Sequence, residues 1–231
     1  LVGLIAMFIV SKIDYKLYLK YSNKILLISF ILLVLVLIPG IGQVRNGSRS
    51  WFGIGSFGFQ PSEVATLSLI IFVSKYLSNN EKEVKSIKKG VLPILTIIFL
   101  FFGLIMLEPD FGTGMVIVAT LFVMLFASNI KLSFFGYLIV LGICGIVVLI
   151  IMAPYRMARI ISFINPWTDP LGSGFQIIQS LYAISPSGLF GRGLGNSIQK
   201  HFYLPEPQTD FIFAIISEEL GILGIIILAI L

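Results

Sequence analysis

The stretch VLPILTIIFLFFGLIMLEPDFGTGMVIVATLFVMLFAS, residues 91–128, decides the fold. It contains two apolar runs, 91–107 and 112–128, which only Glu108-Pro109-Asp110-Phe111 separates. A helix needs about 20 predominantly apolar residues to cross roughly 30 Å of hydrocarbon. Each run comes close to that length, and a proline flanked by two acids ends one helix and starts another. The stretch therefore predicts two consecutive membrane spans joined by a short polar turn.

Similar apolar runs continue on both sides of this stretch. They cover residues 1–11, 25–40, 61–77, 133–153 and 211–231. Of the 231 residues, 57% are hydrophobic and 12% charged, whereas soluble domains are roughly 45–50% apolar and about 25% charged. This composition excludes a water-soluble globular enzyme, and it also excludes a disordered chain. The sequence predicts an all-α fold, a polytopic membrane helical bundle that forms a single transmembrane domain over residues 1–231.

The ends of the sequence both fall inside apolar runs. Leu1 already belongs to one run and Leu231 to another, and no basic segment typical of a secretory signal precedes the first. We therefore expect a fragment of a larger membrane protein, incomplete at both ends. The single cysteine, Cys144, excludes a disulfide framework, and the single histidine, His201, excludes a multi-histidine zinc site.

The basic residues fall into two groups along the chain. Nine lysines lie in the predicted loops 12–24, 78–90 and 129–132. The alternate connections carry five arginines and one lysine, namely Arg45, Arg49, Arg156, Arg159, Arg192 and Lys200. Basic residues in short loops mark the cytoplasmic side, so the lysine loops are predicted inside and the arginine loops outside. The outer arginines have two interpretations, recognition of a lipid phosphate or a structural, snorkelling role.

A long non-spanning segment, at about 154–209, is predicted to be a large outer loop with short interfacial or re-entrant helices, since it contains six prolines and many glycines. Asp169 lies in it, between Asn165-Pro166 and Pro170. One interpretation is a catalytic carboxylate presented by a stiff turn. The other is a turn-forming aspartate, which is common before proline.

Other acidic residues interrupt apolar sequence. Asp110 is a good helix cap, but capping explains Glu108 poorly. Glu218 and Glu219 would lie roughly 12–14 Å along a helix from Asp210 at about 1.5 Å per residue, where a carboxylate costs about 2.5 kcal/mol or more. We expect them to face a polar cavity or another helix, with different partners. A proton or ion pathway and structural pairing both remain open.

The segment Gly191-Arg192-Gly193-Leu194-Gly195 is similar to a glycine-rich phosphate loop. No strand is predicted before it, which argues against a dinucleotide-binding motif. Contact with a lipid pyrophosphate is a second interpretation.

Four segments together resemble the SEDS family of bacterial envelope proteins (shape, elongation, division and sporulation). They are 46–51, 59–63, 108–113 and 163–221. The sequence at Gln199-Lys200 is more similar to the FtsW/SpoVE branch than to RodA. The resemblance implies a bundle of about ten helices, of which this chain would hold the second to the eighth. Thr66 departs from the family pattern, which usually has a lysine there.

The resemblance implies a peptidoglycan glycosyltransferase that polymerises lipid II at the outer face of the bacterial cytoplasmic membrane, for division or sporulation. It also implies a class B penicillin-binding protein as partner, and no nucleic acid. Asp169 matches the family's catalytic aspartate and would be the general base for the attacking sugar hydroxyl. The implied substrate-binding residues are Arg49, Glu108, Asp110, Gln176, Ser180, Arg192 and Lys200.

The leaving group of this reaction is a lipid pyrophosphate, which departs as an anion and needs positive charge rather than a second acid. Arginine, lysine or a divalent metal such as Mg²⁺ could supply that charge, and no cofactor is certain. Two alternatives remain from the sequence, a lipid II transporter (flippase) and a non-catalytic scaffold for the penicillin-binding protein.

Overall fold

The computed structural model describes residues 2–45, 47–54, 57–128, 130–201 and 203–230. Helices dominate these ranges. They are α1 (Val2–Ser11), α2 (Tyr15–Leu37), α3 (Pro61–Asn79), α4 (Leu92–Leu107), α5 (Phe111–Phe126), α6 (Leu132–Ile151), α7 (Pro154–Ile164), α8 (Phe175–Ile184) and α9 (Ile212–Ile230). Every predicted apolar run coincides with a helix, which confirms the predicted helical membrane fold.

Four stretches of the described chain are long and apolar enough to cross a membrane. They are Tyr15–Leu37, Ile87–Leu107, Leu132–Ile151 and Ile212–Ile230, the second of which adds a π-helical turn, Ile87–Val91, to α4. The predicted spans 61–77 and 112–128 correspond to α3 and α5, which are not among these four. Helix α5 has 16 residues and is shorter than these four, while α3 carries polar residues, of which small ones let helices pack closely. Ser68 of α3 is buried and shares a 2.7 Å hydrogen bond with Ser29 of α2.

The interpretation of residues 12–24 as a loop is wrong. Helix α2 begins at Tyr15, and the side chain of Asp14 caps it by accepting a 2.9 Å hydrogen bond from the Lys16 amide. Lys16, Lys20 and Lys24 therefore lie on the helix, four residues apart and on one face. Lysine is a good helix former, and its flexible stem carries the charge away from apolar surface, so lysine-rich sequence need not be a loop.

The chain divides into two compact units, Leu1–Leu138 and Ile139–Leu231. The first contains α1 to α5 and the start of α6. Its buried core comes from α2 to α6 and consists of Leu33, Ala65, Leu69, Val73, Ile94, Ile98, Phe101, Ile105, Ile117, Leu121, Leu125 and Phe135. Aromatic edges pack within this core, with 5.7 Å between the ring centroids of Phe30 and Phe101.

A small antiparallel sheet in the first unit was not predicted. Its strands are β1 (Gln43–Arg45), β2 (Ser48–Ile54) and β3 (Phe57–Phe59), with β2 in the middle. The sequence does carry a signal, because Asn46-Gly47 is a typical hairpin dipeptide. The sheet connects α2 to α3, and the start of β2 and the residue after β3 lie close to the turn between α4 and α5 through the hydrogen bonds described below.

The second unit contains the rest of α6, then α7, a one-turn 3₁₀ helix (Pro166–Thr168), α8 and α9. Short helices were expected in the 154–209 segment, and α7 and α8 are such helices. Helices α8 and α9 pack together through a small core of Ala183, Leu204, Ala214 and Ile215. Residues 185–201 and 203–211, between them, are irregular.

Candidate functional site

Asp169 follows the 3₁₀ turn directly and is held by it. The Asn165 side chain caps that turn by accepting a hydrogen bond from the Trp167 amide at 3.2 Å. The chain then reverses, and the Asp169 carbonyl accepts from the Gly174 amide at 3.0 Å. A side chain at position 174 would collide with the Pro166 carbonyl, so the glycine is needed for this close reversal.

The carboxylate of Asp169 is fixed by Ser173. Its Oδ2 accepts the Ser173 amide at 2.7 Å and the Ser173 hydroxyl at 3.1 Å. These hydrogen bonds, with a weaker one from the Gly172 amide, lower the pKa of Asp169 below its ordinary value because they favour the charged form. The residue is exposed. Asp169 is therefore both turn-forming and an ionised, solvent-accessible carboxylate, so the two interpretations of its role are compatible.

Helix α8 begins two residues after Ser173 and carries Gln176 and Ser180, four residues apart and thus on one face. Gln176 is exposed and Ser180 is half-buried. The Ser180 hydroxyl donates to the Ile177 carbonyl at 2.7 Å. Both predicted substrate-binding residues thus follow the Asp169 turn on the next element of the chain.

Glu218 of α9 is a buried carboxyl group that several donors surround. Its carboxylate accepts from the Ser197 hydroxyl at 2.6 Å, the Ile198 amide at 3.1 Å and the Gln199 amide at 3.3 Å. The Nε of Arg192 lies 3.4 Å from it. Charge-assisted hydrogen bonds of this kind offset the free-energy cost of removing a carboxylate from water.

Glu219 makes the second, more exposed half of this arrangement. It accepts from the Gly195 amide at 2.9 Å and the Ser197 amide at 3.3 Å, and the Lys200 ammonium lies 2.7 Å away. The expected separation of partners holds except at Ser197, whose hydroxyl binds Glu218 while its amide binds Glu219. The two glutamates bind an irregular segment of the chain, not the polar cavity or second helix expected from the sequence.

The glycine-rich segment does not form a phosphate cradle. Such a cradle needs backbone amides that are free to donate. Here the amides donate within the protein, to Glu218, Glu219 or neighbouring groups, at positions 191, 192, 193, 195, 196, 197, 198, 199 and 200. The similarity to a phosphate loop is therefore wrong at the level of the backbone, and only side chains of this segment remain as candidates.

The first unit holds the other predicted acids. Asp110 caps α5 by accepting from the Thr113 amide at 3.1 Å and the Thr113 hydroxyl at 2.7 Å, and it also accepts from the Gln60 side chain at 2.9 Å. The Ser48 hydroxyl donates to the Glu108 carbonyl. The start of β2 and the residue that follows β3 are thus both tied to the turn between α4 and α5.

Glu108 is completely buried, and neither of its carboxyl oxygens has a hydrogen-bond partner among the described residues. Burial, with a smaller contribution from the nearby charge of Asp110, raises its pKa from 4.5 to about 8. Glu108 is therefore protonated at neutral pH. It differs in this respect from Asp169, and the two acids cannot have the same chemical role.

Arg49 lies on β2 and is half-buried. Its guanidinium has no hydrogen bond or ion pair with another residue in the described part of the chain, whereas Arg192 and Lys200 are both paired. Three residues that orient the site, Gln60, Ser173 and Ser197, were not among the predicted site residues. A hydroxyl four residues after Asp169 in a glycine-rich turn was the available signal for Ser173.

The structure groups the predicted residues by unit. Arg49, Glu108 and Asp110 belong to the first unit. The second unit contains Asp169, Gln176, Ser180, Arg192 and Lys200. Within the second unit, two ion pairs hold Arg192 and Lys200 beside the neighbouring residues Glu218 and Glu219 of α9, and the turn after Asp169 leads directly into α8.

Known proteins resemble this chain over almost its full length. The chain is 56% identical over 223 residues to stage V sporulation protein E of Bacillus subtilis, a match over 96% of this chain and 61% of that protein. It is 43% identical to the probable peptidoglycan glycosyltransferase FtsW of Coxiella burnetii, over 98% of this chain and 61% of that protein. The chain thus spans about three fifths of the length of these curated relatives.

Two solved structures share the fold. A chain of a peptidoglycan synthase complex that coordinates polymerization and crosslinking matches with a TM-score of 0.72 and 29% identity, over 98% of this chain and 62% of that one. The rod shape determining protein RodA of Thermus thermophilus matches with a TM-score of 0.62 and 25% identity, over 98% of this chain and 57% of that one.

The family model described as cell cycle protein matches residues 1–231. With four helices long enough to span a bilayer, this match makes the chain part of a membrane protein. The match confirms the resemblance to the SEDS proteins and their FtsW/SpoVE branch. The chain belongs to the FtsW/RodA/SpoVE family of cell cycle proteins.

Proposed function

We propose that the full-length protein to which this chain belongs is a peptidoglycan glycosyltransferase that polymerises lipid II. The observation that carries the proposal is the Asp169 turn, which holds an ionised carboxylate in an exposed position. Relatives named as probable peptidoglycan glycosyltransferases support the same activity. The reaction would take place at the outer face of the bacterial cytoplasmic membrane, on the side that carries the arginine-bearing segments.

In this reaction a sugar hydroxyl attacks the anomeric carbon of a second lipid-linked disaccharide. The new C–O bond forms as the bond to the lipid pyrophosphate breaks, and the hydroxyl proton must be removed. Asp169 is the proposed proton acceptor, since a general base must be deprotonated and accessible to the reacting hydroxyl. Ser173 orients it by occupying Oδ2.

The pyrophosphate leaves with negative charge, so its departure requires cationic groups. Arg49, Arg192 and Lys200 are the proposed cations. Arg49 is uncommitted among the described residues, whereas Arg192 and Lys200 are oriented by Glu218 and Glu219. Guanidinium suits the bidentate geometry of phosphate, and ammonium acts as a point charge. Gln176 and Ser180 are proposed to contact the sugar.

We do not propose a resident divalent metal such as Mg²⁺ at the acids of the first unit. Mg²⁺ needs oxygen ligands that are free to coordinate it, but Glu108 is completely buried and both carboxyl oxygens of Asp110 accept hydrogen bonds from Thr113 or Gln60. The described ranges contain no group of three or more residues suited to hold a metal. No step above depends on a metal.

The transporter alternative relied on Glu218 and Glu219 as groups facing a wet groove. Both carboxylates bind donors of the protein itself, which removes that argument. We retain a class B penicillin-binding protein as the proposed partner, in line with the peptidoglycan synthase complex among the structural matches.

The experiment is glycan-chain analysis after lipid II is supplied to the purified full-length protein, with and without the penicillin-binding protein. We expect long glycan chains that disappear in the D169N variant. A full-length protein that moves lipid II across vesicle membranes but makes no glycan would overturn the proposal. So would D169N protein with undiminished glycan synthesis.

A further inference from the structure

Helix α9 is interrupted where the irregular segment 188–193 lies against it. At Gly221 the backbone adopts φ 64° and ψ −157°, which is not helical. Four amide-to-carbonyl hydrogen bonds join the segment 188–193 to α9. Before the break, Arg192 donates to Glu218 and Gly193 to Glu219, both at 2.9 Å. After the break, Ile222 donates to Gly188 at 3.0 Å and Leu223 to Leu189 at 3.2 Å. The break lets α9 pair its backbone with another part of the chain.

Two glycines make this approach possible. A Cβ atom on Gly191 would lie closer than 3.0 Å to the Glu219 carbonyl group, and one on Gly221 closer than 3.0 Å to the Gly191 amide nitrogen. Both residues also have positive φ, which disfavours any side chain. The backbones of 188–193 and α9 are therefore in direct contact, and the position of one fixes the other.

Side-chain hydrogen bonds also attach the irregular segment to α9. Glu218 is 1% exposed and receives donors from Ser197, Ile198 and Gln199 as well as Arg192. Ser197 in turn accepts the Lys200 amide at 3.1 Å. A buried carboxylate is costly unless such donors satisfy it, so Glu218 and the 197–200 turn stabilise each other.

Both cations of this segment keep donors that the attachment does not use. Arginine has five N–H donors and lysine three. Arg192 meets Glu218 through Nε, and its side chain is 38% exposed. Lys200 contacts Glu219 and the Gly195 carbonyl, and its side chain is 28% exposed. Each cation is thus anchored by a glutamate and still has donor capacity that solvent reaches.

We propose that Glu218 is a positioning residue, which fixes the 192–200 segment on α9 so that Arg192 and Lys200 together bind the phosphate groups of the lipid substrate. This inference rests on the proposed glycosyltransferase function. Glu218 itself contacts no substrate and acts through the two cations. It differs from Glu219, which is more exposed and pairs only with Lys200 among the charged groups of the described chain.

The test uses the full-length protein in lipid nanodiscs and the variant E218Q. Glutamine has nearly the same size, but its amide nitrogen would face donors that now meet a carboxylate oxygen. S197A is the second variant, because it removes the hydrogen bond from the Ser197 hydroxyl to Glu218 and keeps the Glu218 side chain itself. E206Q is the matched control, since Glu206 is an exposed acid of the same irregular region and its side chain hydrogen-bonds only with Thr209 among the described residues.

Three quantities are measured for each variant: hydrogen–deuterium exchange of the 195–199 amides, equilibrium binding of inorganic pyrophosphate, and KM and kcat for lipid II. In E218Q we expect exchange about tenfold faster or more and pyrophosphate binding about tenfold weaker or more, since each tenfold step corresponds to about 1.4 kcal/mol. S197A should change both in the same direction but less. E206Q should match the unmodified protein in both.

Faster exchange in E218Q with unchanged pyrophosphate binding would overturn the proposal, because Glu218 would then have only a structural role. Unchanged exchange would also overturn it, as would an unmodified protein that does not bind pyrophosphate. The first two measurements need no turnover. A full-length protein without polymerase activity would therefore refute the proposed function, while exchange and binding would still decide the role of Glu218.

Discussion

The amide and the hydroxyl of Ser173 both donate to the same oxygen, Oδ2, of Asp169, at 2.7 Å and 3.1 Å. A single residue four positions further along the chain thus orients the carboxylate and stabilises its charge. The turn that brings the two together is closed by the Gly174 amide, which donates to the Asp169 carbonyl at 3.0 Å. The geometry is local, so it needs no contact with another helix.

Replacing Asp169 by asparagine in the full-length protein should reduce the rate of lipid II polymerisation by about 10²–10⁴-fold, the usual contribution of a general base. Asparagine preserves the size of the side chain but cannot accept the proton. Glycan product is measured at saturating lipid II. D210N is the matched control and should retain activity, because Asp210 is an exposed acid outside the Asp169 turn. Comparable losses in both variants would contradict a specific role for Asp169.

The variant S173A should change the pH dependence of polymerisation. The Ser173 hydroxyl lowers the pKa of Asp169, so its removal raises that pKa towards the ordinary value. The hydrogen bond from the Ser173 backbone amide to Asp169 remains in the variant. The base must be ionised, so the acidic limb of the kcat/KM profile should move to higher pH, with little change above neutrality. S185A is the control, since Ser185 is an exposed serine at the end of α8, outside the Asp169 turn and outside the proposed substrate contacts. If the acidic limb of the S173A profile did not move, the ionisation that this limb reports would not be that of Asp169.

Glu108 should make the stability of the protein depend on pH. Its folded pKa is about 8 and its ordinary value 4.5. Between these values the folded state keeps a proton that the unfolded chain loses, so stability falls as pH rises through this window and levels off above about 8. Each pKa unit corresponds to about 1.4 kcal/mol, so the loss should amount to a few kcal/mol.

This dependence is measured as the melting temperature in nanodiscs from pH 5 to pH 9. The E108Q variant keeps a neutral side chain at every pH and should show a flatter curve than the unmodified protein. E81Q, which changes an exposed acid of the same unit, should leave the curve unchanged. Parallel curves for E108Q and the unmodified protein would contradict a buried, protonated Glu108.

Alanine at position 191 should destabilise the second unit. Gly191 has φ 69°, and a Cβ atom there would collide with the backbone of Glu219. The left-handed backbone alone costs about 1–2 kcal/mol with a side chain, and the collision adds to it. G145A is the control, because a Cβ on Gly145 of α6 meets nothing within 4 Å. Thermal unfolding of both variants checks the prediction, and equal melting temperatures would contradict the close packing of 188–193 on α9.

The apolar runs were a reliable guide to the helices but not to their ends. Helix α2 begins ten residues before the predicted span 25–40, because Asp14 caps a lysine-bearing stretch that hydropathy alone assigns to a loop. The β1–β3 sheet was missed for a related reason. Three- and seven-residue strands give too short a pattern to stand out in an apolar chain, even with the Asn46-Gly47 hairpin signal.

The candidate site was predicted unevenly for the same physical reasons. The turn at Asp169 could be predicted because it depends on neighbouring prolines and glycines, whereas the catalytic role of Asp169 was implied only by the resemblance to the SEDS proteins. The partners of Glu218 and Glu219 lie about 20 residues earlier, and nothing in the local sequence links the two segments. The glycines of 191–195 are similar to a phosphate loop in sequence, whereas in the structure Gly191 permits close contact with α9.

The sequence by itself determined the helical membrane class, the resemblance to the SEDS proteins and the exposed carboxylate of Asp169, because hydropathy, length and turn chemistry act over neighbouring residues. Only the tertiary structure decided that Arg192 and Lys200 are paired with Glu218 and Glu219, that the amides around them are occupied, and that Glu108 is buried without a partner. Charge state and hydrogen bonding depend on which distant groups replace water around a side chain, and the fold alone brings those groups together.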